Sequence, residues 1–257
     1  MQKTLLLILA LLFCSGLAVA KEKKSKKKKS TAKLETVKET TKQAIITLDT
    51  IVEKMEPKIS TPETTYVVIE TTVGNIKIKL FDETPLHKAN FIKIVQDGVL
   101  DSTLFHRVIP EFMIQGGDPL SKNAVPGQRL GTGGLDYRVP AELFPNIIHQ
   151  KGALAAARDG NPQKASSSTQ FYIVVGKTYT DNELNILGSR TGNSWTEAQK
   201  EIYKTIGGTP MLDMQYTVFG QTVEGQDIVD KIVSAPRDPY DRPFNDIRML
   251  KVSVIEE

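Results

Sequence analysis

Phe105-His106-Arg107-Val108-Ile109-Pro110-Glu111-Phe112-Met113-Ile114-Gln115-Gly116-Gly117-Asp118 is the stretch on which the reading of this chain turns. Two strand-like segments, 104–109 and 112–115, fall in or beside it, and a single arginine sits between apolar neighbours. Similar short segments follow at 152–157, 170–175, 217–223 and 247–254. Upstream, Tyr66–Glu70 and Ile76–Leu80 are rich in β-branched residues, and Gly74-Asn75 between them reads as a hairpin signal. Thr84 then stands as a helix N-cap with Pro85 at the first helical position, and Gly98 ends that helix. Many short strands, glycine-rich loops and few helices predict a mainly β, closed antiparallel barrel.

One long stretch, residues 177–210, interrupts the strand pattern. Ser194 and Glu197 have capping-box spacing, and Trp195, Ala198, Ile202 and Ile206 are expected on one helical face, stopped by Gly207-Gly208. This predicts a helical loop insertion.

The N-terminal region has a different character. Lys3, an apolar run from Leu5 to Phe13 and a close on Ala18-Val19-Ala20 form the layout of a secretory signal peptide, residues 1–20. As a helix that run rises only about 14 Å, half of a bilayer core, so cleavage is favoured over a stable membrane span. The only cysteine, Cys14, lies inside this segment behind Phe13 rather than a small residue, so a lipid anchor there ranks second. The mature chain then has no disulfide framework and depends on its core. Residues 1–33 hold nine lysines and one glutamate, so the overall +3 leaves −5 on the remainder. The basic run 21–33 has no interleaved aromatics for bases to stack on, and reads as a solvated tether rather than a nucleic-acid site. Residues 34–64 combine an amphipathic helix ending near Met55 with a linker marked by Pro57 and Pro62.

Standard catalytic sets are not found. His87, His106 and His149 lack metal-ligand spacing, and no cysteine joins them. Ser166-Ser167-Ser168 has no nucleophile elbow, and Gly131-Thr132-Gly133-Gly134 has no following lysine, so it reads as a tight loop. No cofactor, metal or covalent intermediate is expected.

The central run closely resembles the cyclophilin family's motif. Gly152–Ala157 followed by Ser168-Thr169-Gln170-Phe171-Tyr172-Ile173, and Leu212-Asp213 with Tyr216-Thr217-Val218-Phe219-Gly220, resemble two further motifs in the family's order. The resemblance covers about residues 65–255. It implies a peptidyl-prolyl cis-trans isomerase domain, residues 65–257, built as a closed eight-stranded β-barrel capped by two helices. It further implies Arg107 as the catalytic cation and Gln115 as its polar partner. Phe112, Met113, Tyr172 and Leu212 are implied as pocket walls, with Gln170 and Ala157 gripping the peptide backbone.

Several positions depart from the best-known members. Tyr172 replaces phenylalanine, so its hydroxyl needs a partner. Arg158 replaces asparagine and adds a cation to the substrate groove. Met211 and Tyr216 replace tryptophan and histidine in the substrate site, as in bacterial members, which counts against tight cyclosporin binding. The expected partners are proline-containing polypeptides, among them unfolded exported proteins, handled by a monomer in the periplasm. An extracellular location is the lesser alternative. The second functional reading is a peptide-binding chaperone or scaffold that uses the same groove.

Overall fold

A computed structural model describes residues 64–257. The expected signal peptide, tether, N-terminal helix and linker up to residue 63 lie outside the described residues. β1 (Thr65–Thr71) and β2 (Gly74–Leu80) alternate buried and exposed positions, as a half-buried strand must. Val67, Ile69, Ile76 and Ile78 are fully buried, each stabilising by about 1.5–3 kcal/mol relative to exposure. Thr71 pairs with Gly74, so the connecting residues are Thr72 and Val73 rather than the expected Gly74-Asn75. α1 (Pro85–Gln96) follows, and then β3 (Arg107–Ile109) and β4 (Met113–Gly116). A two-residue β5 (Arg138–Val139) pairs with β7 (Ser166–Ser167) in a small separate sheet that strand patterning did not reveal. β6 (Ala153–Ala156), β8 (Phe171–Val174), α2 (Asp181–Thr191), α3 (Glu197–Thr205), β9 (Val218–Glu224), α4 (Gln226–Val233) and β10 (Met249–Glu256) complete the order.

Eight strands form one antiparallel sheet, ordered β10-β1-β2-β9-β6-β8-β4-β3. The sheet is curled but open, which corrects the expected closed barrel. Its ends meet only through an isolated bridge, Leu104 with Arg248, and neighbouring bonds such as Phe105 N–H to the Ile247 carbonyl. β3 has only three residues before Pro110, so no continuous ladder can run to β10. The described residues hold four α-helices: α1 and α4 outside the insertion, and α2 and α3 within it, where a single helix was expected. α1 and α4 bury Phe91, Ile94, Val229 and Ile232 in the main core beside Phe105, Phe171 and Phe219.

β6 and β8 are buried on both faces. Period-two alternation turns Ile114, Phe171 and Ile173 toward the main core. It turns Met113, Ala155, Tyr172 and Val174 toward a second cluster, against which Phe112, Leu212 and Tyr216 pack. That second face is where the site forms.

A distant carboxylate fastens the start of α1. Thr84 occupies the N-cap position of α1, but its side chain makes no capping bond. Glu142 supplies the cap from a distant loop, accepting from the Leu86 and His87 backbone N–H groups at 3.0 and 2.9 Å. At α3 the capping box is Thr196 with Gln199, two residues beyond the expected Ser194–Glu197 pair. Trp195 therefore lies outside the helix, and α3 buries Tyr203 while Ile206 is exposed.

Burial lowers the His106 pKa to about 4, against the weaker opposing pull of Asp118, and burial also lowers that of His87 despite Glu142. Both rings therefore take up protons more readily in the unfolded chain. Unfolding free energy should fall as pH drops below the ordinary histidine value of about 6.5. Urea denaturation at pH 5 should show a stability about 2 kcal/mol lower than at pH 7 from His106 alone. His106→Asn should flatten that dependence, and an unchanged slope would reject the assignment.

Candidate active site

One row of paired positions crosses four strands. Arg107 on β3 lies opposite Gln115 on β4, Gln115 opposite Tyr172 on β8, and Tyr172 opposite Ala155 on β6. Above this row is a pocket of about 120 Å³. Phe112, Met113, Tyr172, Leu212 and Tyr216 wall it, and Arg107, Gln115, Ala157 and Arg158 complete its lining. An open cleft of about 680 Å³ adjoins it, sharing Gln115, Ala157 and Arg158 and adding Gln170 and the 131–138 loop. Ten of the eleven residues singled out in the sequence thus border one continuous groove.

Met211 does not. It packs with Leu187 and Ile202 against the insertion's cluster of Trp195, Tyr203 and Leu184, and borders neither cavity. The short 3-10 turn Pro210–Leu212 points successive side chains in different directions, and it is Leu212 that faces the pocket.

Polar groups form a directed chain. The Gln170 amide donates to the Gly133 carbonyl at 2.7 Å, and the Gln115 amide donates to Gln170 Oε1 at 3.1 Å. Arg107 Nη1 then donates to Gln115 Oε1 at 3.4 Å, a long and weak bond. Arg107 Nε lies 3.8 Å from Asp241, and its side chain is 42% exposed. The guanidinium is thus aimed by two partners without being consumed by either. Asp118, fully buried, anchors the far end by accepting from the N–H groups of Gly131 and Gly133 at 2.5 and 3.3 Å and from Leu120 at 2.8 Å. A Cβ at residue 133 would come within 2.1 Å of that carboxylate, so only glycine fits. The sequence predicts a tight loop at the 131–134 glycines. They are that, and they are also a wall of the cleft.

Arg158 is not a free cation. Its Nε donates to the Gln215 carbonyl and its Nη1 to that of Asp159, both at 2.9 Å, while the guanidinium lies 4.6 Å from the Tyr216 ring centre. Tyr216 meets Tyr172 edge-on at 5.9 Å. Together they form a stiff, aromatic wall.

The Tyr172 hydroxyl finds its partner in His149 Nε2 at 3.0 Å. Asp213 holds the other side of His149, at 2.9 Å from its backbone nitrogen and 2.8 Å from Nδ1. The same carboxylate accepts from Trp195 Nε1 at 2.7 Å and the Tyr203 hydroxyl at 2.6 Å. Burial raises the Tyr172 and Tyr203 pKa values, so both remain phenols. The inserted helices are thereby bonded to the pocket floor through Asp213 and His149, neither of which had been singled out in that role.

Ser166, His87 and Glu142 have the connectivity of a hydrolytic triad, with Ser166 Oγ 2.9 Å from His87 Nε2 and His87 Nδ1 2.6 Å from Glu142. Ser166 and His87 are only 1% and 2% exposed, and the adjoining void is about 10 Å³. No substrate can reach the serine. The trio ties α1 to the small sheet.

A curled antiparallel sheet thus carries a walled pocket, a guanidinium held at its rim and an adjoining open cleft. Residues 66–254 match the family described as cyclophilin type peptidyl-prolyl cis-trans isomerase/CLD. The chain belongs to that family and is a peptidyl-prolyl cis-trans isomerase. It is 34% identical over 191 residues to a Staphylococcus aureus (strain COL) protein named as a peptidyl-prolyl cis-trans isomerase, covering 74% of this chain and 91% of that one. A Staphylococcus saprophyticus protein of the same name is 32% identical over the same shares. Its fold is similar to that of a Cryptosporidium parvum cyclophilin type isomerase, with a TM-score of 0.55, 22% identity, and coverage of 76% of this chain and 99% of that one. A second structure of that protein, in the presence of the dipeptide Ala-Pro, gives a TM-score of 0.53, 22% identity, and coverage of 75% and 99%.

Gln170→Ala should cut isomerisation of a proline peptide about tenfold, mainly in kcat, because it leaves the substrate walls in place but frees Arg107's support. Met211→Ala should leave the rate within about twofold, since its side chain faces the insertion. Rates measured by NMR exchange on both variants check the two placements together.

Proposed function

We propose that the 120 Å³ pocket receives the pyrrolidine ring of a polypeptide lying along the groove, and that Arg107 acts on the prolyl amide. Phe112, Met113, Tyr172, Leu212 and Tyr216 desolvate the ring. In this reading the guanidinium donates toward the amide as it twists, favouring a pyramidal nitrogen and weakening the resonance that makes the barrier. Arginine suits the task because it stays charged and offers several donors in a fixed fork. Gln115 and Gln170 aim it, and Ala157 and Arg158 contact the peptide backbone in the cleft. The presence of Ala-Pro with the structurally similar Cryptosporidium parvum protein supports a proline-containing substrate.

The observation that carries this reading is the chain of donated bonds ending on a half-exposed Arg107 at the rim of a ring-sized pocket. We also propose that the clients are exported proteins met in the periplasm. The signal-peptide layout of residues 1–20 supports this. Among the described residues no helix is long and apolar enough to cross a membrane.

In a protease-coupled assay, Arg107→Ala should lose about 10²–10³ of the rate, the size expected for removing one preorganised donor from the transition state. Arg107→Lys should recover only a small part of it, because the fork is lost. An undiminished rate in Arg107→Ala would reject the assignment.

A further inference from the structure

Leu212 faces the proline pocket, while the carboxylate of the next residue, Asp213, is buried among donors from the inserted stretch 177–210. Its Oδ2 accepts from Trp195 Nε1 at 2.7 Å and from the Tyr203 hydroxyl at 2.6 Å. Its backbone carbonyl accepts from the Asn193 side-chain amide at 3.0 Å. Trp195 and Tyr203 border neither the proline pocket nor the adjoining cleft. A buried carboxylate oxygen that loses a donor must move toward another or stay unpaired. The position of Asp213 therefore follows the docking of the insertion.

Two routes run from Asp213 to the pocket. One is the peptide bond to Leu212. The other passes through His149, which is buried. Its backbone N–H donates to Asp213 Oδ1 at 2.9 Å and its Nδ1–H to the same oxygen at 2.8 Å, so carboxylate and imidazole move as a unit. Nε2 is then left to accept from the Tyr172 hydroxyl at 3.0 Å. Burial raises the Tyr172 pKa, so the phenol keeps a proton to donate. The two rings lie 12° from parallel with centres 6.1 Å apart. The Tyr172 wall of the pocket is thus held at its hydroxyl end by the group that Asp213 orients.

We propose that Trp195 and Tyr203 are positioning residues of the proline pocket, setting Leu212 and Tyr172 through Asp213 and His149, so that the docking of the insertion governs how tightly a prolyl ring is held. This rests on the reading that the pocket receives that ring. Neither residue lines the pocket or bonds to Arg107. Leu212 and Tyr172 meet the ring, which is the same apolar body before and during amide rotation. Displacing them weakens ground state and transition state alike, which raises KM and spares kcat. Loss of Arg107's aim falls on kcat instead. By linkage, a ring bound in the pocket is felt in turn at the Trp195–Asp213 bond.

Trp195 is the only tryptophan of the chain, so its indole N–H gives a single NMR resonance. In the full chain, the dipeptide Ala-Pro should shift that resonance saturably, and Ala-Ala should not. The Leu212 methyl resonances should move with the same half-saturating concentration. Tyr203→Phe and Trp195→Phe each keep an aromatic ring and remove one donor to Asp213. Both should raise KM for a proline peptide about fivefold, with kcat within about twofold. Met211→Ala loosens the same apolar cluster without touching those bonds, and should leave KM within about twofold. Tyr172→Phe should cut the indole shift at saturating dipeptide by about half or more. An unmoved indole resonance at saturation, an unchanged KM in both phenylalanine variants, an equal rise in Met211→Ala, or a loss confined to kcat would overturn the proposal. An undiminished shift in Tyr172→Phe would overturn the route through His149. If Ala-Pro leaves the Leu212 methyls unmoved, the pocket reading fails and the proposal with it; moved methyls beside an unmoved indole reject the coupling alone.

Discussion

An arginine side chain is too flexible to serve a reaction unless something spends its freedom beforehand, and here the antiparallel register does so. The pairing of β3, β4, β8 and β6 sets Arg107, Gln115, Tyr172 and Ala155 in one line. A slip of one residue in β4 would turn Gln115 into the core and Ile114 outward. The pocket floor, the aiming amide and the cation would be lost together. Pocket and catalyst therefore depend on one register, and the core side chains on the opposite face, Ile114, Phe171 and Ile173, are what enforce it.

Loops complete the site, and each is held by a buried carboxylate whose acceptors are filled by several donors. Asp118 holds the 131–133 loop, so the carbonyl of Gly133 is in place for Gln170. Glu142 caps α1 and fixes His87. Asp213 gathers His149, Trp195 and Tyr203, joining the inserted helices to the underside of Tyr172. A buried carboxylate is costly unless paired, and removing its donors leaves it stranded. These three make the irregular parts of the fold as specific as the sheet.

Much of this was legible beforehand. β-Branched runs on either side of a turn signal marked β1 and β2, and the resemblance pointed to Arg107, Gln115 and the pocket walls. Periodicity alone could not separate pocket from core at Met113 and Tyr172, because strands buried on both faces lose their polar alternation. The α3 cap was misplaced because Ser194–Glu197 and Thr196–Gln199 both have the required spacing. A tertiary bond, Trp195 to Asp213, decides between them by holding Trp195 before the helix begins. Met211 was assigned to the groove by position along a motif, whereas the insertion's apolar cluster draws it away. The open sheet edge follows from a three-residue β3, a length that strand propensity does not resolve.

The account makes the Gln115–Gln170 chain an instrument of Arg107 rather than an independent grip on substrate. A double-mutant cycle on the isomerisation rate, using Gln170→Ala, Arg107→Ala and the pair together, tests this most directly. Once Arg107 is gone, removing Gln170 should cost less than about twofold, where alone it costs about tenfold. Strict additivity of the two losses would contradict the account and make Gln170 a substrate contact in its own right.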